Sequence, residues 1–504
     1  MEHEHFLMII LIFGTLLMLK LWSKLHNNRH HKKLPPCPKR LPFLGNLHQL
    51  IGDLPHICLQ KLSKEHGPLM FLQLGSIPTL VISSSHVAKD IFKNHDLIFS
   101  SRPQLYAGKW LSYQCYDITF APYGEYWREV RKIVLSEVLS MKRVQSFRST
   151  REEEAEHMVN LIVQGSSGPV NLSELTLSLA NNVICRVAYG KKYDPIKGFN
   201  GKSNAYEILN MTQTLLGEFN VADFYPWLGS ILNKVNGVDS RLKKNFRELN
   251  DILDEVLEEH RHSTRRTLDN EDIVDVLLRL QKDPNQAIAL TNNQVKGILV
   301  DMFVAGSDTS AVTLVWIMAE LIKNPPIMKK VQDEVRRVVN GKQRVEESDL
   351  PKLSYMKLII KEALRLHPPA PLLVPRETTE PCKIGEYEIP AKTRVFINAK
   401  AIAMDPNVWD NPEKFEPERF LHSSIDYKGH NFELIPFGIG RRSCPAMNFA
   451  VLTVEIALAN LLYRFDWSLP KGMTTDDIDM VEATGLTMHK KEPLLLMAIP
   501  KFLY

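Results

Sequence analysis

The sequence predicts a mainly helical fold with small β-sheets, in one large domain carried behind an N-terminal transmembrane helix. Apolar residues recur at the helical period over Ser85–Asn94, Glu125–Leu139, Arg151–Gln164, Ser173–Ala188, Val238–Arg261, Ile273–Gln281 and Ser354–Leu366. Strand-like runs are short: Leu69–Leu74, Thr79–Ser83, Cys382–Ile384, Arg394–Asn398 and Leu494–Ala498. No repeat and no low-complexity linker divides the body, and the polar stretch His260–Asp272 reads as a surface loop. Length alone would suggest about three domains, but 504 residues without an internal boundary fit one.

Composition excludes several classes. The chain is 44% hydrophobic and 24% charged, an ordinary globular mixture. Its net charge of +4 is uneven: residues 5–52 hold seven Lys or Arg and no Asp or Glu. The remainder is near neutral, which removes the basic face that a nucleic-acid partner needs. Six cysteines (Cys37, Cys58, Cys115, Cys185, Cys382, Cys444) stand apart with no C-x-x-C pair, so neither a disulfide scaffold nor a zinc site is expected.

Phe6–Leu25 is long and apolar enough to cross a bilayer, with Lys20 and Lys24 placed to snorkel. Lys24, Arg29, Lys32, Lys33, Lys39 and Arg40 follow it, which places the rest of the chain on the cytosolic side. A cleaved signal peptide fits less well, because Glu2 and Glu4 replace a basic start and no small-x-small site follows. The expected organisation is an anchor over residues 1–25, a basic and proline-rich strap over 26–50, and the main domain over 51–504. Prolines 35, 36, 38 and 42 stiffen that strap.

The longest helix begins at Thr291, with Gln294 three residues on as a capping box, and stops at Pro325-Pro326. Its middle reads Ala305-Gly306-Ser307-Asp308-Thr309-Ser310, a polar and loosened patch. That patch is either a set of hydroxyls bonding back to helix carbonyls or a functional site. Glu362 and Arg365 share one helix face at i, i+3 spacing, and Arg419 in Pro417-Glu418-Arg419-Phe420 offers the same carboxylate a second guanidinium.

Residues 436–446 read Pro-Phe-Gly-Ile-Gly-Arg-Arg-Ser-Cys-Pro-Ala before an apolar helix, Met447–Leu462. Pro445 suits the first helical position, which puts Cys444 at or beside the N-cap, where the dipole and nearby cations favour a thiolate. A thiolate in a Gly-rich, Arg-flanked loop is what a haem iron with a proximal Cys requires. An inert buried Cys is the bland alternative. A nucleotide loop fails, because Ser443 occupies the third glycine position of G-x-G-x-x-G.

At these residues the sequence resembles a cytochrome P450, a membrane-anchored haem-thiolate monooxygenase. Phe437, Gly440, Arg442 and Cys444 are similar to the haem-binding signature, and Ala305–Thr309 to the oxygen-activating motif. Glu362 with Arg365, residues 417–420, and Trp127 with Arg131 follow the family's order. The strap and the Phe-Glu-Pro-Glu-Arg-Phe segment are similar to the plant microsomal class, and Cys-Pro-Ala-Met with residues 465–470 to a subgroup that includes aldoxime oxidisers. Two departures stand out. Ala446 replaces the signature's last glycine, adding a methyl where the helix approaches the porphyrin, and Cys37 replaces a strap glycine.

The resemblance implies a P450 fold around haem b, with Cys444 as the axial ligand of its iron. It implies Arg442, Arg131, Trp127 and Arg376 as partners of the haem propionates, and Phe437 and Gly440 as part of the same loop. Thr309 and Asp308 are implied as catalytic residues handling protons on the distal side, and Glu362, Arg365 and Arg419 as structural support bracing the Cys loop. It places substrate choice in Lys109–Ile118, Met211–Asp223, Met302–Ala305, Ala370–Val374 and Gly485–Thr487. Trp110, Phe219, Phe303, Ala305, Leu372, Leu373 and Leu486 are the expected pocket residues, mostly apolar, with core packing as the rival reading.

No dinucleotide fingerprint is present, so an NADPH-dependent cytochrome P450 reductase is the implied partner, docking at Arg128, Arg131 and Lys132. The expected reaction inserts one oxygen atom from O₂ into a small lipophilic plant metabolite: a terpenoid, alkaloid, phenylpropanoid or aldoxime. Coupling, ring closure or dehydration by the same haem is the second reading, and a non-catalytic membrane-anchored binding protein the third. The expected location is the endoplasmic reticulum membrane, single-pass, with the catalytic domain cytosolic.

Overall fold

The structure, a computed structural model, describes residues 33–165, 168–192, 205–262, 271–483 and 485–501. The expected anchor therefore lies outside the described residues. The described residues form two compact units, one running up to Ser101 and taking in Pro375–Asn398, the other taking in the described residues from Arg102 to Val374 and from Ala399 on.

The first unit is built on a four-stranded sheet. Strand β1 (Leu69–Leu74) pairs antiparallel with β2 (Ile77–Ile82), with Leu69 opposite Ile82. Strand β4 (Arg394–Ile397) runs parallel to β2, and β3 (Arg376–Glu377) closes the other edge antiparallel to β4. The helix Ser85–Asn94 matches its expected bounds and starts on Ser84, whose side chain accepts from the Val87 amide. The described part of the strap is tied to this sheet: Phe71 donates to the Pro36 carbonyl at 2.9 Å and Asn46 to that of Gln73 at 2.6 Å. Cys37 is held there by Arg40, whose Nε donates to its sulfur at 3.0 Å.

The second unit is helical. Helix α1 (Glu125–Ile133) does not run on to Leu139 as α-helix; it passes into a π-helical turn over Val134–Val138. Helices α2 (Leu172–Tyr189), α4 (Ser354–Leu366) and α5 (Met447–Arg464) surround α3 (Asn292–Lys323). Thr291 and Gln294 cap α3 reciprocally, and a new helix starts at Pro325. Among the described residues α3 is the one helix long and apolar enough to cross a membrane, but most of it is buried in the core.

Two hydrophobic clusters share α3. Val295–Val304 packs with Val183–Tyr189, Leu249–Leu257 and Ile273–Leu280. Leu314–Ile322 packs instead with Ile359–Leu366 and Val454–Phe465. The polar patch at 305–310 falls where the helix leaves one cluster and enters the other. Apolar periodicity therefore continues on both sides of it without covering it. A short pair, β5 (Glu482–Ala483) and β6 (His489–Lys490), lies against α3.

Residues 263–270 of the expected surface loop lie outside the described residues. His260 and Asp272, the ends of the expected surface loop, are buried and bonded to one another at 2.9 Å. Tyr113, Gln114 and Cys115 form three consecutive left-handed residues at φ 52°, 65° and 63°. That conformation carries no apolar period and so escapes a pattern-based reading.

Candidate active site

Cys444 sits at the end of a closed loop. Its amide donates to the Phe437 carbonyl at 2.8 Å, and Gly438 and Gly440 make the reversals at φ 71° and 61°. Helix α5 begins at Met447 with Ala446 at its N-cap, so Pro445 precedes the helix instead of opening it. Cys444 belongs to the loop because its backbone is spent on Phe437. Its half-buried sulfur is approached by the Ala446 amide and by the charge of Arg131. Burial pushes the thiol up, against those two effects. Ala446 packs partly buried against the cluster that holds Phe449.

Helix α1 supplies two of the expected donors. Arg131 donates to the Ser443 carbonyl at 2.8 Å and Ser443 Oγ at 3.3 Å. It is therefore turned inward and withdrawn from the expected docking face, whereas Arg128 and Lys132 are exposed. Arg442 lies over Trp127 with its guanidinium carbon 3.9 Å from the ring centroid. Trp127 Nε1 donates to the Ile118 carbonyl at 3.0 Å, and Arg442 donates to Ile118 at 3.1 Å and Ala121 at 2.6 Å.

The loop 117–121 is thus a hub that sequence patterning missed. Its Ile118 and Thr119 amides donate to Asp301 Oδ2 on α3 at 2.6 and 3.0 Å. Burial and the charge of Asp301 hold the neighbouring Asp117 well above the usual carboxylate range. Arg376 belongs to the first unit, where it lies 3.5 Å from Asp96 and 4.5 Å above the Phe92 ring. Phe437 packs against Tyr427, with ring centroids 5.4 Å apart.

The hydroxyls of the polar patch follow the bland reading in their bonding. Ser307, Thr309, Ser310 and Thr313 donate to the carbonyls of Phe303, Ala305, Gly306 and Thr309, each at 2.7 to 3.0 Å. Asp308 does not follow it. It is buried and accepts from Thr487 Oγ1 at 2.6 Å, with His489 Nε2 at 3.2 Å. Neither partner was expected, because a bend residue and the first residue of a two-residue strand carry no periodic signal.

Glu362 and Arg365 are fully buried and paired by two bonds of 2.8 Å. Arg419 Nε adds a third to Glu362 at 2.9 Å. Arg365 also caps the carbonyls of Ala403, Pro412 and Lys414, so the network fastens the 403–419 segment.

The expected pocket residues divide. Ala305 is exposed although Met302, Phe303 and Val304 before it are buried. Leu372, Leu373, Leu486 and Trp110 are half-buried, Trp110 against Phe246. Phe303 is inside the core. Phe219 is 69% exposed and stacked on Phe224, a surface position.

A cysteine in a Gly-turned loop, guanidinium donors on α1 and in the loop, and the exposed Ala305 fit a flat, anionic, iron-bearing group. A profile of the cytochrome P450 family matches residues 35–497. The chain belongs to the cytochrome P450 family. It is a P450 monooxygenase, and its cofactor is haem with a thiolate ligand. Over 497 residues it is 58% identical to cytochrome P450 71A9 of Glycine max, covering 97% of this chain and 98% of the relative. It is 57% identical to strychnine-11-hydroxylase of Strychnos nux-vomica, covering 93% and 92%. It is 47% identical to a phenylacetaldehyde oxime monooxygenase of Prunus mume, covering 93% and 89%. A zebra fish cytochrome P450 solved with progesterone aligns at TM-score 0.76 and 26% identity, covering 89% of this chain and all of that one.

Proposed function

We propose that this P450 inserts one oxygen atom from O₂ into a small lipophilic plant specialised metabolite: a terpenoid, alkaloid, phenylpropanoid or aldoxime. Electrons come from NADPH through a cytochrome P450 reductase. The observation that carries the reading is Cys444, set in its Gly-turned loop with Arg131 and the Ala446 amide beside it. Cys444 holds the iron, and Arg131 and Arg442 serve the propionates, with Trp127 stacked under Arg442. The bound haem supplies the oxygen-activating chemistry.

The chain's own residues do the rest. Thr309 and Asp308 hold and move protons on the distal side. Glu362, Arg365 and Arg419 keep the 403–419 segment in place. The exposed methyl of Ala305 and the apolar side chains of Trp110, Leu372, Leu373 and Leu486 select for lipophilicity. The printed activities of the alkaloid hydroxylase and the oxime monooxygenase support that substrate range.

The anchor over 1–25 and strap over 26–50 hold the domain over 51–504 at the cytosolic face of the endoplasmic reticulum. The basic flank of Phe6–Leu25 supports that topology. So does the helix Pro226–Val235, which exposes Trp227, Ile231 and Val235. Exposed Arg128 and Lys132 support reductase docking.

Microsomes carrying this chain and a reductase, incubated with a panel of those four metabolite classes, test the proposal. A product heavier by one oxygen atom is expected. Coupled or dehydrated products without oxygen gain would point to the second reading, and no turnover without a thiolate-type Soret band to a binding protein.

A further inference from the structure

The carboxylate of Asp308 is closed off from water on its own helix, its side chain only 5% exposed. A buried acid that must give up a proton repeatedly needs a route for the next one. Two groups touch it. Thr487 Oγ1 donates to Oδ2 at 2.6 Å, and His489 Nε2 lies 3.2 Å from the same oxygen. His489 Nε2 is also 3.2 Å from Oδ1 and 3.1 Å from Thr487 Oγ1. Because Thr487 spends its proton on Asp308, its oxygen accepts from His489, and Nε2 therefore carries hydrogen. Of these side chains, His489 is the one that also reaches solvent, with 42% of it exposed. Its position follows from the pairing of β6 with β5, which sets His489 opposite Ala483 and against α3.

We propose that His489 is the proton-entry residue for Asp308, a positioning residue acting through that carboxylate. The inference rests on the reading of Asp308 and Thr309 given above. The imidazolium gives its Nε2 proton to Asp308 Oδ2, making a carboxylic acid and a neutral ring with its hydrogen on Nδ1. Asp308 passes the proton toward the distal side and returns to a carboxylate. The neutral ring turns about its Cβ–Cγ bond and takes a proton from water on Nε2. One proton enters and one leaves per cycle, and no charge accumulates.

The surrounding charges suit this role. On the paired strand Glu482 is bound to Lys400 at 3.2 Å, and Lys490 donates to the Glu492 carbonyl near Asp479. Asp308 is the charge that faces the ring directly. Burial favours the neutral imidazole, but the hydrogen bond and charge of Asp308 outweigh it, so His489 titrates above the ordinary histidine range. The ring thus keeps its proton to higher pH than an ordinary histidine and loses it on the alkaline side of that range.

The test uses the full-chain holoenzyme with reductase, NADPH and O₂, and no organic substrate. Consumed O₂ then ends as peroxide, with two electrons and two protons, or as water, with four of each. The peroxide share should rise with pH in the wild type through the titration of His489. In His489→Gln it should be several-fold higher at neutral pH and flat with pH, while the CO-bound spectrum is unchanged. A His489→Gln profile that follows the wild type would overturn the proposal. Thr309→Ala should raise the peroxide share regardless; if it does not, the underlying reading of the site fails instead. A second measurement does not depend on turnover: the ¹³C-histidine NMR titration of His489 should move to lower pH in Asp308→Asn. An unmoved midpoint would dissolve the pairing on which the route depends.

Discussion

Arg442 lies flat on Trp127, and both side chains donate to the one carbonyl of Ile118. The residue two before Cys444 and the indole of α1 are thereby locked to the same point of backbone. That point is held from its other side by Asp301 of the core helix. Loop, helix and cysteine turn therefore share one support.

Trp127→Phe keeps a ring under Arg442 and removes one donor from Ile118. The expected loss is about 1 kcal/mol of stability, read as a lower urea midpoint. A midpoint equal to the wild type would show that the indole N–H contributes nothing to the hub.

Arg365→Lys removes the fork that binds Glu362 and three carbonyls, and leaves a fully buried carboxylate short of a partner. Breaking a buried pair in this way costs on the order of 3–5 kcal/mol. Denaturant unfolding should register most of that, together with lower haem retention. A change below about 0.5 kcal/mol would instead class the pair with surface ion pairs.

Gln114 is exposed in the middle of a left-handed run that costs a non-glycine residue roughly 1–2 kcal/mol. Gln114→Gly relieves that strain at some cost in chain entropy. The melting temperature should rise by a few degrees, and a fall would argue that the run is not strained.

Burial pushes Glu455 on α5 up to about 7, against the pull of Lys357. The folded protein holds this proton more tightly than the unfolded chain. Its contribution is therefore fully present below the ordinary Glu range and is lost as pH rises through about 7. Glu455→Gln should lose less stability than the wild type between about pH 5 and about pH 8. Parallel stability profiles for the two proteins would count against a buried, protonated Glu455.

Much of this fold was legible because helices bury one stripe. Ser85–Asn94 and Ser354–Leu366 have the bounds their periodicity predicts, and the Thr291 cap is where its hydroxyl and Gln294 require it. The pairing of Glu362 with Arg365 and Arg419 was legible from spacing and motif order. What escaped depends on tertiary neighbours. Pro445 precedes the helix because the Cys444 amide is spent on Phe437. The Cys444 thiol is pushed up because burial outweighs one amide and one guanidinium. Phe219 lies on the surface although its apolar ring suggests a pocket. The partners of Asp308 come from a bend, Thr487, and a strand too short to leave a pattern, His489–Lys490.

The central claim is that Cys444 holds the haem iron as a thiolate. The CO-bound difference spectrum of the reduced protein, taken for the wild type and for Cys444→Ala, tests it most directly. The account predicts a thiolate-type Soret band in the wild type and its complete loss in Cys444→Ala, with helical circular dichroism retained. A band that survives in Cys444→Ala, or is absent from the haem-loaded wild type, would contradict it.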